Sequence, residues 1–555
     1  MRPPAKVMRL PRLGAFHQTR LSFSRSLIRT MIREQWRIER PVFDLDAQGF
    51  GTVVYQVHTP RGRYGFVAFS DHLDPQNRTD RVIAERWDAT FALIEGDATP
   101  ARVADLRANI PKQEAGRCCA GDIVLSRANR SVRMFEHVVD QLAAGRQPDR
   151  HEVIKVGYLM RTTAVYGNGK FGLSDFDGIR QRSVFSQPFR AEMLAVYLAR
   201  LLSVDLVEHL AKARAPDTAV PLDRDIKRLF GVGNATGLGM APFLINHPRL
   251  INQWIATREL AIARVKAVRS AGFRRRTRFG ELLQRAVAHI AQIHTNDAGQ
   301  RHKNEVLRDE LREIESRRSA DSLLPERAPW QFLAEWADKN TSLETQELLN
   351  SILLELYPER VDPLAETMGC DEPADLDPSM PLTQLKAVVE RNYDWALSVD
   401  YDEPQEQHYF WYRSAEKEEP RLGERFNEPG ADKEMVIGIG RAVANLHAHL
   451  CGLTQAQVSR PVAYLLLEHP RFRGIVRRIQ SLADCPYAEV RDNTLAASCL
   501  PVDLLRCKLS FFGAGKFDPK SDRWTRITLF QGAPLPDELD NENADDWNFY
   551  CAPLP

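Results

Sequence analysis

Eight cationic residues and no acid stand between Met1 and Arg33: Arg2, Lys6, Arg9, Arg12, Arg20, Arg25, Arg29 and Arg33. Leu21, Phe23, Leu27, Ile28 and Ile32 can line one face of a helix opposite the arginines. A segment of this kind has three fates: an Arg- and Ser-rich targeting peptide, an arm gripping an anionic surface, or an element packed on its own protein. The helical pattern runs without a small-residue cleavage signal into Ile32-Arg33-Glu34-Gln35-Trp36, which favours the third. We expect residues 1–33 to form a basic arm packed on its own chain. The expected compartment is the cytoplasm, with the mitochondrial matrix, reached through the basic N-terminus, as the alternative.

The basic bias stops there. Over 555 residues, Lys and Arg total 75 and Asp and Glu 74, a formal charge of +1, so no whole-molecule field draws the protein to nucleic acid or anionic lipid. Hydrophobic residues at 43% and charged residues at 27% are globular values. Arg outnumbers Lys fourfold, and its planar fork suits carboxylates and phosphates. Eight Cys without a Cys-x-x-Cys pair argue against a disulfide scaffold, a zinc module or an iron–sulfur cluster, and for a reducing compartment. Apolar runs fall far short of the roughly 18 residues that cross a bilayer. A soluble protein without a membrane partner is expected.

The β-prone stretches Val53–His58 and Tyr64–Ser70 flank a Thr-Pro-Arg-Gly-Arg turn, a hairpin signature, and Thr90–Ile94 is suited to a third strand. Long amphipathic helices are expected near 130–145, 187–214, 250–270, 279–296, 300–317 and 342–357. Pro- and Asp-rich residues 362–381 read as a linker. The domains expected are therefore a basic arm at 1–33, an α+β domain at 34–180, a helical body at 181–361, the linker, a C-terminal α+β domain at 382–533, and an acidic tail at 534–555 along the surface. Trp36, Tyr55 and Tyr166-Gly-Asn-Gly-Lys-Phe171 have counterparts in Trp395, Tyr412 and Phe512-Gly-Ala-Gly-Lys-Phe517, which suggests a degenerate internal duplication. The fold class expected is a predominantly α-helical α+β protein with a small sheet in each terminal half around a central helical body.

Chemistry is read from four segments. Lys170 and Lys516 each follow a Gly-x-Gly turn whose N–H groups can face an anion, with Arg161 and Asn168 close to the first. Both lysines precede Phe, so neither loop is a Walker A motif. Gly231–Gly239 holds Gly233, Asn234 and Thr236 in a run dense enough in glycine to cradle a ligand or permit close packing; its spacing departs from the dinucleotide fingerprint. Asn246 and His247 end that segment before Pro248, and His247 is the candidate acid or base. Ser126–Arg133 reads as the start of a helix on which Arg127, Arg130 and Arg133 share a face beside Asn129.

Other signals are weaker. His447 and His449 point about 200° apart on a helix and cannot share a metal there, and His289 and His294 also miss helical ligand spacing. No metal site is expected, and Cys118, Cys119, Cys485, Cys499 and Cys507 lack a nearby motif that activates a thiol. Tyr409-Phe-Trp-Tyr-Arg413 mixes aromatic and basic residues, but Glu416, Glu418 and Glu419 follow and argue against nucleic acid. A Ser-Arg-Ala-Asn segment followed by a glycine-rich loop resembles the fumarase/aspartase family, whose Gly-Ser-Ser-x-Met-Pro loop is missing here; no residue role is carried over. The reading is an enzyme for a small anionic substrate, a carboxylate or phosphate, using acid/base chemistry of lyase or isomerase type, with transferase next. Lys170 and His247 would be catalytic. Arg127, Asn129, Arg130, Arg161, Asn168, Gly233, Asn234, Thr236, Asn246 and Lys516 would bind substrate. No tightly bound cofactor is expected, and a homo-oligomer is. The alternative is a ligand-binding or scaffold protein that docks through its basic arm.

Overall fold

Residues 37–70 form three antiparallel strands, β1 (Arg37–Leu45), β2 (Gly51–Thr59) and β3 (Gly62–Ser70), and the hairpin between the last two closes on Thr59 and Gly62. They belong to a computed structural model that describes residues 1–74, 76, 87–109, 120–162, 182–237, 248–319, 324–369, 376–401, 410–414, 420–423, 431–435, 439–491, 501–521, 524–541 and 543–547. Next come β4 (Ala89–Glu95), β5 (Asp122–Arg130), β6 (Tyr158–Thr162) and β7 (Gly231–Gly237). Strands β8 (Phe410–Ser414), β9 (Pro420–Gly423) and β10 (Ala431–Met435) make a separate three-stranded sheet, but β11 (Lys516–Ser521) and β12 (Trp524–Leu529) return to the first. The result is a nine-stranded sheet in the order β1-β2-β3-β4-β5-β6-β7-β12-β11. Neighbours from β1 to β6 run antiparallel, as do β11 and β12, and β6 and β7 run parallel.

This overturns the expectation of a small sheet in each terminal half. The strand-rich N-terminal half and the last strands of the chain build one mixed sheet, because β12 supplies the partner that β7 would otherwise lack as an exposed edge. The counterpart at 167–171 lies outside the described residues, and the Gly-Ala-Gly-Lys-Phe segment of the supposed second copy leads into β11 of this sheet. Gly513 in it adopts φ +87°, and a Cβ there would overlap the Ser24 hydroxyl, so the turn into β11 requires glycine for packing. Gly231 and Gly233 are likewise in a strand rather than a loop: side chains at these positions would run into the Leu529 carbonyl and the Tyr158 ring. The helices follow the apolar periodicity closely, at Met134–Ala143, Arg190–Arg214, Pro248–Lys266, Phe273–Ala291, Ala298–Ser319 and Leu343–Leu356. Among the described residues no helix is long and apolar enough to cross a membrane.

The chain divides into two compact units, one made of Met1–Phe16, Gly237–Lys266 and Pro363–Lys508, the other of His17–Thr236, Ala267–Asp362 and Leu509–Pro555. In the first, Leu385, Val389, Val443, Leu446, Leu450, Val462, Val476 and Ile479 form a helical core. The Arg258 guanidinium lies 4.2 Å over the Phe16 ring. In the second, Val54, Val67, Phe69, Ala92, Ile94 and Leu125 pack on Leu106 of the helix Pro100–Asn109. The opposite sheet face meets the helix Arg190–Arg214, where the Tyr55 hydroxyl donates to Asp205 at 2.5 Å. Arg200 of that helix is fully buried and donates to the carbonyls of Phe230, Ala533 and Pro534 at 2.6, 2.8 and 3.2 Å. Burial holds its pKa down to about 10.

Arg20, Arg25 and Arg29 of the basic arm lie in the second unit. Arg20 and Arg25 are buried, and both donate to Glu355 at 3.0–3.3 Å. Arg20 also forks onto Asp362 at 2.5 and 2.7 Å. Asp545 lies 2.8 Å from each, and Arg29 stands 3.7 Å from Asp545 and 3.8 Å from Asp362. Three guanidinium groups therefore face three carboxylates. Trp547, in the expected surface tail, is instead buried here, stacks on Phe530 at 6.1 Å and lies under Arg25 at 5.8 Å.

Removing one partner of a buried pair leaves a charge uncompensated, so Glu355→Gln is expected to lower the unfolding free energy by about 3–5 kcal/mol in urea denaturation. Burial pushes the Asp545 carboxyl up, but Arg25, Arg20 and Arg29 outweigh it and hold the group below the usual carboxylate range. A carboxyl depressed in the folded state contributes stability that is fully present above its unfolded-chain value and is lost as pH falls through the folded one. The stability gap between the wild type and Asp545→Asn should therefore stay constant from roughly pH 7 to 5 and narrow below about pH 4, measured by thermal unfolding.

Candidate functional site

Three of the residues singled out from the sequence lie side by side in the large sheet. Asn129 of β5 pairs with Arg161 of β6, and Arg161 pairs with Gly233 of β7. Register partners on adjacent strands share a face, and Arg127, two residues before Asn129, joins them. Asn129 and Arg161 are buried, 4% and 6% exposed, while Arg127 is half-buried with its guanidinium 5.3 Å over the Trp87 ring. Gly233 packs closely against Tyr158, and a Cβ at this position would overlap the Tyr158 ring.

Asp88, just before β4, completes the group. Its N–H donates to Asn129 Oδ1 at 2.9 Å, and its Oδ2 accepts the Arg130 N–H at 2.9 Å. These two bonds tie the start of β4 to the end of β5 and fix the orientation of the Asn129 amide. Asp88 is 1% exposed. The sequence reading missed it, although its position directly before the expected Thr90–Ile94 strand, next to Trp87, was a usable signal.

Arg130 does not share a face with Arg127. The expected helix at 126–133 is instead β5, followed by a turn, and the helix starts at Met134. Side chains alternate along a strand, so residues three apart point to opposite faces. Arg130 accordingly reaches the Ser70 hydroxyl at 3.4 Å and lies 4.8 Å over Phe135, while Arg133 is exposed beyond the strand end. On that opposite face Thr162 meets Ser126 at 3.3 Å and donates to the Arg127 carbonyl at 2.9 Å. The arginine face read from helical spacing is thereby split in two.

Lys170, His247, Asn168 and Asn246 lie outside the described residues. Asn234 and Thr236 are in β7 and Lys516 opens β11 opposite Thr528, but their side chains are outside what is described. His447 and His449 sit on the helix Ile439–Cys451 and point to different neighbours, Glu390 and His469. Among the described residues no group of three or more His, Cys, Asp or Glu is arranged to hold a metal. What the sheet face offers is two guanidinium groups, an oriented amide and one carboxylate, a donor-rich set in a buried setting where charge-assisted hydrogen bonds are strong. No protein-family model, curated protein or solved structure matches this chain, so these residues are assigned from their geometry alone.

Proposed function

We propose that the protein is an enzyme that binds a small carboxylate or phosphate on the face carrying Arg127, Asn129 and Arg161. The observation that carries this reading is the cross-strand row Asn129–Arg161, with Arg127 on the same face. Arg161 and Arg127 would neutralise the anion, and Asn129, fixed by Asp88, would orient it. Asp88 is the carboxylate of the set, a group able to exchange a proton with substrate. Acid/base chemistry of lyase or isomerase type suits these groups, with Lys170 and His247 as further proposed catalytic residues, and a reducing, cytoplasmic compartment and a homo-oligomer complete the proposal. The rival scaffold reading relied on a basic docking arm, and the burial of Arg20 and Arg25 among acids of their own chain does not favour it.

The test is native mass spectrometry and thermal shift of the full chain with a panel of dicarboxylates and phosphate monoesters. A ligand of one of these classes should bind, and Arg161→Met should weaken it roughly tenfold to hundredfold, the loss of one charged hydrogen bond. Binding unchanged in both Arg161→Met and Arg127→Met would contradict the assignment, as would a panel in which nothing binds.

A further inference from the structure

Residues four apart on a helix share a face, so His447 and Cys451 meet in the last turn of Ile439–Cys451. The Cys451 sulfur lies 3.6 Å from Nε2 and 3.8 Å from Nδ1 of His447. It therefore faces both ring nitrogens, over which the charge of an imidazolium is spread. From the helix Leu382–Asn392, Glu390 Oε1 lies 3.2 Å from the same Nε2, and Lys386 Nζ lies 3.8 Å from Glu390. The carboxylate holds the ring in place. Among the described cysteines Cys451 is the exposed one; Cys485 is half-buried, and Cys507 is buried with its thiol pushed up to about 12 by that burial.

We propose that Cys451, His447 and Glu390 form a thiol-exchange site that takes low-molecular-weight disulfides. His447 accepts the thiol proton as the Cys451 sulfur attacks one sulfur of the disulfide. A new S–S bond forms, the old one breaks, and the departing thiolate recovers the proton from His447. Cys451 is oxidised to a mixed disulfide and the small disulfide is reduced to one thiol, so the exchange needs no other oxidant. Glu390 is a positioning residue, and Lys386 lies beside it.

The experiment treats the full chain with dithiobis-nitrobenzoate, follows release of the aromatic thiolate, and reads each cysteine by peptide mass spectrometry. Cys451 should be modified first. At neutral pH His447→Gln should slow that modification roughly threefold to tenfold, the effect of losing the group that accepts the thiol proton during attack. At alkaline pH, where thiols ionise unaided, variant and wild type should converge. Glu390→Gln, on an exposed surface position, should slow it in the same pH-dependent way and guards against a folding defect in the histidine variant. Modification of another cysteine first, or a Cys451 rate unaffected by both variants at neutral pH, would overturn the proposal.

Discussion

Arg25 is a fully buried cation, and the second unit is arranged around its neutralisation. It donates to Glu355, 330 residues away, and to Asp545, 520 residues away. Taking such charges out of water costs several kcal/mol per ion unless each finds a partner in good geometry. The chain meets that condition by bringing three distant segments to one place: the N-terminal helix Phe23–Arg33, the end of the helix Leu343–Leu356, and the C-terminal turn at Asp545. The network thereby specifies which ends of the chain meet, a constraint that apolar packing alone would impose less sharply.

The same closure shapes the sheet. Residues 509–529 come after the acids at 355 and 362 and return to the N-terminal strands, where β12 lies beside β7. With β12 in place, Gly231 and Gly233 lie between close neighbours on both sides, and their lack of a Cβ lets β7 pass between the Tyr158 ring and the Leu529 carbonyl. That central position of β7 also fixes the register of β6, and with it the placement of Arg161 beside Asn129. Fold and proposed site are thus linked through backbone spacing in the middle of the sheet.

Helices were the most legible elements, because a 3.6-residue apolar period survives as long as one face meets the core; Arg190–Arg214 and Leu343–Leu356 lie within a few residues of where the period places them. β5 was not legible. Its residues Asp122–Arg130 are buried on both faces apart from Arg127, so no alternation marks a strand, and Ser-Arg-Ala-Asn-Arg passes for the polar opening of the helix that follows. The glycine run at 231–237 was read as a ligand cradle or a close-packing site, and the sequence could not choose between them: glycine reports that space is short, and a neighbouring strand fills that space as well as a ligand would. Long-range ion pairing left a half-signal, since eight cations without an acid require partners, but nothing local says which acids these are. Cys451 was missed because His447 was compared with His449, two residues on, rather than with the residue one helical turn away.

The most direct test of this account is hydrogen exchange of the full chain carrying Arg25→Gln. If the buried network holds the three segments together, amides in Phe23–Arg33, in Leu343–Leu356 and around Asn543–Trp547 should lose protection together and to a similar degree, while the helix Leu382–Asn392 of the other unit keeps its own. Loss of protection confined to Phe23–Arg33, with the other two segments unchanged, would contradict it.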